Sequence, residues 1–315
     1  LGRMGGGIVR RLIRPGIDCV VHDADSETTT HFGAANDGVE PAATLTDLVS
    51  RLDAEQRRVI WLMVPAGTAT RDVADQCGQL LARPSHRDVI VDGGNSYFKD
   101  TRQLADDLDG LGVALVDSGT SGGIWGEANG YCLTVGGDPD DVQLLEPVFR
   151  ALAAASPEHA DELGYLHCGP AGAGHLVKMI QNGIEYGMMQ SLAEGLHILQ
   201  RADRLDPGYD LDLAAITSAW RHGSVVSSWL LDLIAGSLTA DQTLKEFTGS
   251  VPDSGTGRWT VNTALETATP ANVLATALMQ RFDSRLTDHY GNQVLSALRA
   301  AFGGHTEEQT FRGTD

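Results

Sequence analysis

Four short runs of β-branched and aliphatic residues punctuate the first half of the chain: CVVHD (19 to 23), VIWLMVP (59 to 65), DVIVDGG (88 to 94) and VALVDSG (113 to 119). Polar stretches with helical spacing separate them. A strand that is apolar all round must be covered on both faces, so this alternation predicts a doubly wound parallel sheet with helices on either side. YCLTVGG (131 to 137) reads as one more strand. After Gly169-Pro170 the pattern turns to helical periodicity with almost no strand signal, which puts a domain boundary there. The expectation is α/β plus all-α, with a parallel-sheet domain over residues 1–169 and an all-helical domain over 170–315. A chain of 315 residues, 42% hydrophobic, has enough apolar material for two cores.

The chain opens on LGRMGGGIV, followed by the helical run RRLIRPG. This has the form of the last part of a G-x-G-x-x-G turn entering a helix, with Gly2 and Gly5 as second and third glycines. The first glycine and the strand before it are absent, and the expectation is that the natural chain begins earlier. Such glycines let the backbone approach a pyrophosphate at the positive end of a helix. About 20 residues on, Asp23 ends the next strand where a carboxylate accepts hydrogen bonds from an adenosine ribose. Asp25 follows closely, and no Arg or Lys lies between Asp23 and His31, so a 2'-phosphate would be repelled with nothing to pair it. The pattern therefore predicts a Rossmann-type domain binding NAD rather than NADP. Cofactor contacts are expected from Gly2, Arg3, Met4, Gly5, Asp23, Val64, Pro65 and Asn95. The loops at 64 to 67 and 92 to 96 follow strands at their carboxyl ends, where open α/β sheets bind ligands, although Asn95 reads equally well as a structural turn.

In KMIQNGIEYG (178 to 187) a Lys, an Asn, a Glu and a Tyr interrupt an apolar run. At about 100° per residue, Lys178, Asn182 and Glu185 fall within roughly 60° of one another, with Tyr186 at the edge of the stripe. Leu176, Val177, Met179, Ile180, Ile184, Met188 and Met189 make the rest of the helix apolar, so it is expected to be largely buried with its polar stripe facing a cleft. The bland alternative is an internal Lys–Glu pair without function. Against it, a partly desolvated Lys can act as a base toward a hydroxyl, and a sheltered Glu can keep a proton and deliver it.

The formal charge of -19, from 23 Lys plus Arg against 42 Asp plus Glu, disfavours nucleic acid and anionic membrane surfaces, while leaving room for a small anion in a locally basic cleft. Cys19, Cys77, Cys132 and Cys168 lack metal-ligand spacing and read as buried thiols of a cytoplasmic protein. No metal site is expected.

These residues carry a resemblance. The chain is similar to the decarboxylating 6-phosphogluconate dehydrogenases in LGRMG, DGGNS (92 to 96), VDSGTSGGIWGEANG (116 to 130), GAGHLVKMIQNGIEYGMMQ (172 to 190), DSGTGRWT (253 to 260) and RAAFGGH (299 to 305), and in length it resembles the short form. The resemblance implies that Lys178 is the base that takes the proton of the substrate 3-hydroxyl, and that Glu185 protonates carbon 1 after carbon dioxide leaves. It implies that Asn182, Asn95, Ser121, Gly122 and Gly123 hold the sugar acid. Tyr186 and Arg281 would bind its phosphate, joined by Arg299 and His305 from another subunit of a homodimer or homotetramer. Two departures stand out: Gln181 occupies a position that is usually His, and Ser254 the position of a Lys that helps bind phosphate. Arg258, Lys245 or the Ser254 hydroxyl could compensate, and the sequence does not rank them. Asp23-Ala24-Asp25 stands where the NADP-binding forms carry Asn-Arg-Thr, which reinforces the NAD reading. The competing readings are a non-decarboxylating 3-hydroxyacid dehydrogenase, which has no need of Glu185, and a catalytically silent nucleotide-binding protein.

Overall fold

A computed structural model describes residues 1–83, 86–156 and 162–303. The chain divides into two compact units, Leu1–Ile184 and Glu185–Asp315. In the first, helix α1 (Arg3–Ile13) leads to β1 (Cys19–Val21), α2 (Ser26–Ala35), β2 (Val39–Pro41) and α3 (Leu45–Arg51). Alternation continues through β3 (Val59–Leu62), α4 (Thr68–Leu81), β4 (Val89–Asp92), α5 (Phe98–Asp109) and β5 (Ala114–Ser121). A short α6 (Gly126–Asn129), β6 (Cys132–Gly136), α7 (Pro139–Leu152) and β7 (Tyr165–Gly169) complete the sheet. β1 pairs with β2 in parallel, and a five-stranded ladder runs in the order β3-β4-β5-β6-β7.

The strands form where expected because their residues are needed on both faces. Val89 and Val91 of β4 pack toward Ile8, Leu12, Leu145 and Phe149, while Ile90 between them packs toward Cys77, Leu81, Leu104 and Leu108. One strand thus feeds two cores, and both layers of helices are held by it. Two expectations need correction. β6 runs antiparallel to β5, because the chain reverses through Gly122, Gly123 and Gly130, all at positive φ where only glycine is relaxed. β2 and β7 were not foreseen, being short and incompletely buried.

The amino-terminal edge of the sheet is closed by charge. Asp88, fully buried before β4, receives Arg58 at 2.7 Å and Arg83 at 2.8 Å. Open α/β sheets bind ligands at the opposite, carboxyl edge. Of the cysteines, Cys77 is buried and Cys19 half-buried, and burial pushes both thiols up to about 11, so both stay protonated at neutral pH. Cys132, expected inside, is exposed, since it opens β6 on the outward side of the pleat.

The second unit is helical. It contains the later part of α8 (Ala173–Gln200), then α9 (Leu213–Trp220), α10 (Trp229–Ala240), α11 (Thr256–Glu266), α12 (Asn272–Asp283) and α13 (Tyr290–Gly303). Its centre is Tyr186, Ala277 and Leu278, flanked by Val261 and Phe282. No described helix is long and apolar enough to cross a membrane.

Candidate active site

Gly2 is the N-cap of α1 and offers no side-chain cap, so the first-turn N–H groups keep their hydrogen-bonding capacity. A Cβ on Gly2 would meet nothing within 4 Å, which leaves the backbone open to close approach. Gly5 does a different job: a Cβ there would lie 3.4 Å from the Met63 Cβ, so the glycine lets α1 lie close to the end of β3. Arg3 is exposed and Met4 packs against the first core. Asp23 follows β1. Its Oδ1 accepts the Asp25 N–H at 3.0 Å. Asp25 caps α2, accepting from Thr28 at 2.7 Å and from the Glu27 amide at 3.1 Å, so both acids stand as anions beside the end of β1. Val64 and exposed Pro65 lead into Gly67, the N-cap of α4 at φ 90. An uncapped helix start with an open glycine and an ionised Asp at the next strand end fit a dinucleotide with a free 2'-hydroxyl.

Lys178 is 9% exposed, five residues into α8 from Ala173. Its Nζ donates to Asn182 Oδ1 at 2.7 Å, one helical turn on. That bond sets the amide, whose Nδ2 then points to Asn95 Oδ1 at 3.4 Å, joining α8 to the loop after β4. Gly119 of β5 allows this placement, because a Cβ there would collide with the Lys178 Cβ. β5 ends at Ser121 and is followed by Gly122 at φ 131 and Gly123 at φ 53, a turn closed to residues with side chains and rich in accessible backbone. Glu185 is half-buried on the same helix, and Gln181 is exposed. The apolar flank of α8 is less covered than its composition predicts: Val177, Ile184, Met188 and Met189 are exposed. Apolar spacing reports which residues could be covered, not whether anything covers them.

In the helical unit, Tyr186 is buried, and the Arg281 guanidinium lies 3.5 Å from its ring centroid. Arg281 also donates to the Pro252 carbonyl at 2.9 Å. The Tyr186 hydroxyl accepts the Ser254 N–H at 3.2 Å and lies 3.3 Å from Ser254 Oγ, which in turn lies 2.9 Å from Thr256 Oγ1. Tyr186, Gln190, Glu194, His197, Arg281 and Ser284 line part of a cavity of about 460 Å³.

Arg258 is engaged elsewhere. It grips Asp253 at 3.0 and 3.2 Å and stacks 4.3 Å from the Phe282 centroid. Arg285 joins the same carboxyl at 2.8 Å, and the two guanidiniums, Arg258 foremost, hold Asp253 down to about 2. Lys245 is exposed in the segment between α10 and α11. Of the three candidates to replace the family Lys, the Ser254 hydroxyl is the one bonded to Tyr186. Thr256, its partner, was passed over in the sequence, where it reads only as a helix-start residue. Arg299 is exposed on α13, and His305 lies outside the described residues.

A doubly wound sheet opened by a glycine-capped helix, with a buried lysine against its central strand, defines an NAD-binding oxidoreductase of the dehydrogenase class. Residues 1–166 match the NAD-binding domain of 6-phosphogluconate dehydrogenase and residues 174–309 its C-terminal domain. The chain belongs to the 6-phosphogluconate dehydrogenase family. It is 36% identical over 98% of its length, and 97% of the relative's, to a Bacillus subtilis protein described as a putative 6-phosphogluconate dehydrogenase. It is 38% identical, over 97% of this chain and 95% of the other, to the NAD(+)-dependent, decarboxylating 6-phosphogluconate dehydrogenase of Haloferax volcanii. Among solved structures, Plasmodium falciparum 6-phosphogluconate dehydrogenase is alike in fold, with a TM-score of 0.78 at 22% identity, covering 99% of this chain and 65% of that one.

Proposed function

We propose that this chain oxidises 6-phosphogluconate with NAD and decarboxylates it, giving ribulose 5-phosphate and carbon dioxide. The observation that carries the reading is the buried Lys178 bonded to Asn182 on a helix whose same stripe bears Glu185. NAD, when bound, accepts the hydride from carbon 3. Lys178 takes the 3-hydroxyl proton as the hydride leaves, and the ammonium it becomes hydrogen-bonds the new carbonyl while the carboxylate departs. Glu185 then gives a proton to carbon 1. Asn182, Asn95, Ser121, Gly122 and Gly123 orient the sugar acid; Tyr186 and Arg281 take its phosphate. Gly2, Arg3, Met4, Gly5, Asp23, Val64, Pro65 and Asn95 hold the cofactor.

Residues 1–169 form the cofactor domain and residues 170–315 the substrate and oligomerisation domain of a cytoplasmic homodimer or homotetramer. The C-terminal segment carries Arg299 and His305 to a neighbour's site. The test follows reduced cofactor and carbon dioxide together with 6-phosphogluconate as substrate. Equal yields of both are expected; reduction without gas release would make the chain a simple hydroxyacid dehydrogenase.

Two variants probe the ligands. Asp23→Asn removes one of two anions beside the ribose, and kcat/KM with NADP should rise about tenfold while that with NAD falls. Unchanged discrimination would move the ribose away from Asp23. Ser254→Lys restores an ammonium beside Tyr186, and KM for 6-phosphogluconate should fall about tenfold at similar kcat. A KM that stays fixed would place the phosphate elsewhere.

A further inference from the structure

Asp117 lies in the middle of β5 with no exposure to solvent, in register with Asp92 of β4 on one side and Gly136 of β6 on the other. Two buried carboxylates side by side on neighbouring strands are costly. The partners of Asp117 explain what it is doing there. Its Oδ1 accepts the N–H of Gly172 at 2.6 Å and its Oδ2 the N–H of His175 at 2.7 Å. These are amides at the head of α8, which begins at Ala173. A helix start leaves its first N–H groups without intrahelical partners and carries partial positive charge. Here the cap comes from a strand more than fifty residues away in sequence.

The rest of the contact is built for close approach. Gly174 has the Thr134 carbonyl, the Gly136 amide and the Asp117 carbonyl where its Cβ would be, and Gly136 has the Asp117 carboxyl in the same position. Gly172, at φ 91, turns its amide toward Asp117 in a conformation that a side chain would strain. The His175 ring, 2% exposed, lies 2.8 Å from Thr101 Oγ1 of α5 and 3.9 Å from Asp117 Oδ2. Two residues beyond Asp117, Gly119 touches the helix at Lys178. The axial position of α8 is therefore set against β5 within one turn of the lysine.

We infer that Asp117 is a positioning residue for the reaction: by capping α8 from the sheet, it fixes the height at which Lys178 meets the substrate hydroxyl. The inference rests on Lys178 being the base. Removing the cap lets the first turn loosen and the lysine shift. Displacement of a reacting group by about 1 Å can cost on the order of 10²-fold in rate without loss of binding.

The test uses Asp117→Asn in the full chain. The variant keeps the shape and one acceptor, but it sets an NH2 donor against one of the two amides. Without ligands, hydrogen exchange over residues 172–178 should speed up at least about tenfold, with little change elsewhere in the sheet. With substrate, kcat should fall between about 10-fold and 10²-fold while KM and NAD affinity stay near parent values, and the primary isotope effect of 3-deuterated substrate should rise. A lower melting temperature with parent kcat, KM and isotope effect would reduce Asp117 to a stability residue and overturn the inference. If Asp117→Asn does not fold, Gly172→Ala, whose added Cβ at φ 91 strains the turn that delivers one capping amide to Asp117 Oδ1, decides in the same way: a lowered kcat with a raised isotope effect supports positioning, and parent values of both oppose it. Failure of the base assignment is seen separately, as activity retained in Lys178→Met, whatever Asp117→Asn does to exchange.

Discussion

In Lys178→Met, NAD reduction driven by 6-phosphogluconate falls about 10⁴-fold, at the upper end of what removing a positioned base costs. Methionine suits the test because the site asks two separate things of the lysine. Its stem fills a buried space, at 9% exposure, and methionine occupies nearly the same volume without overpacking. In the proposed reaction its nitrogen accepts and returns a proton, and the thioether does neither. The collateral loss includes the bond to Asn182, which retains its link to Asn95 and is half-exposed, so water can replace that donor. Cofactor affinity, measured by titration without substrate, should not change, since α1, Asp23 and the loop after β3 are untouched. Stopped-flow absorbance of the reduced nicotinamide gives the rate of the hydride step. A rate within about tenfold of the parent would assign the base to another group.

That lysine was legible in the sequence because helix geometry is local. Lys178, Asn182 and Glu185 need only the 3.6-residue repeat to share a stripe, and α8 runs unbroken through all of them. The strands β3, β4 and β5 were legible for the opposite reason: VIWL, VIVD and the start of ALVDSGTS are apolar through consecutive positions, as only strands covered on both faces are. Where the decisive contact is tertiary, the signal stops. The direction of β6 depends on how the chain turns between residues 122 and 131, and strand composition does not record direction. β2 is three residues long and β7 carries no fully buried residue, so neither contrasts with a loop.

The surroundings of Tyr186 show the same limit with charges. Lys245, Arg258 and the Ser254 hydroxyl were equal candidates in the sequence, because what separates them is the company each keeps in space. Arg258 is held by Asp253, itself shared with Arg285 from beyond α12, and by the face of Phe282. Ser254 meets Tyr186 across 68 positions of sequence. Asp117 is the extreme case. In the string VDSG it reads as a residue near the end of a strand, and only the folded sheet brings the head of α8 onto its two oxygens.

Glu185→Gln separates the decarboxylating reading from every simpler one, because it acts on a step that only a decarboxylating enzyme has. Glutamine keeps the size and the hydrogen-bonding end of glutamate but has no proton to give at carbon 1. The residue is half-buried and sits seven positions after Lys178, about 20° away around the helix, so the exchange leaves the fold and the base in place. The first turnover should therefore look normal: a burst of reduced cofactor and of carbon dioxide, each equal to the enzyme present. Only the later protonation should slow, by about 10³-fold, so that the steady state falls while the burst survives and the solvent isotope effect grows. Rapid-quench sampling of carbon dioxide against ribulose 5-phosphate reads the gap directly. If the variant turns over at the parent rate, Glu185 is not the acid. If the burst itself disappears, Glu185 acts before carbon dioxide leaves, and the division of labour along α8 must be redrawn.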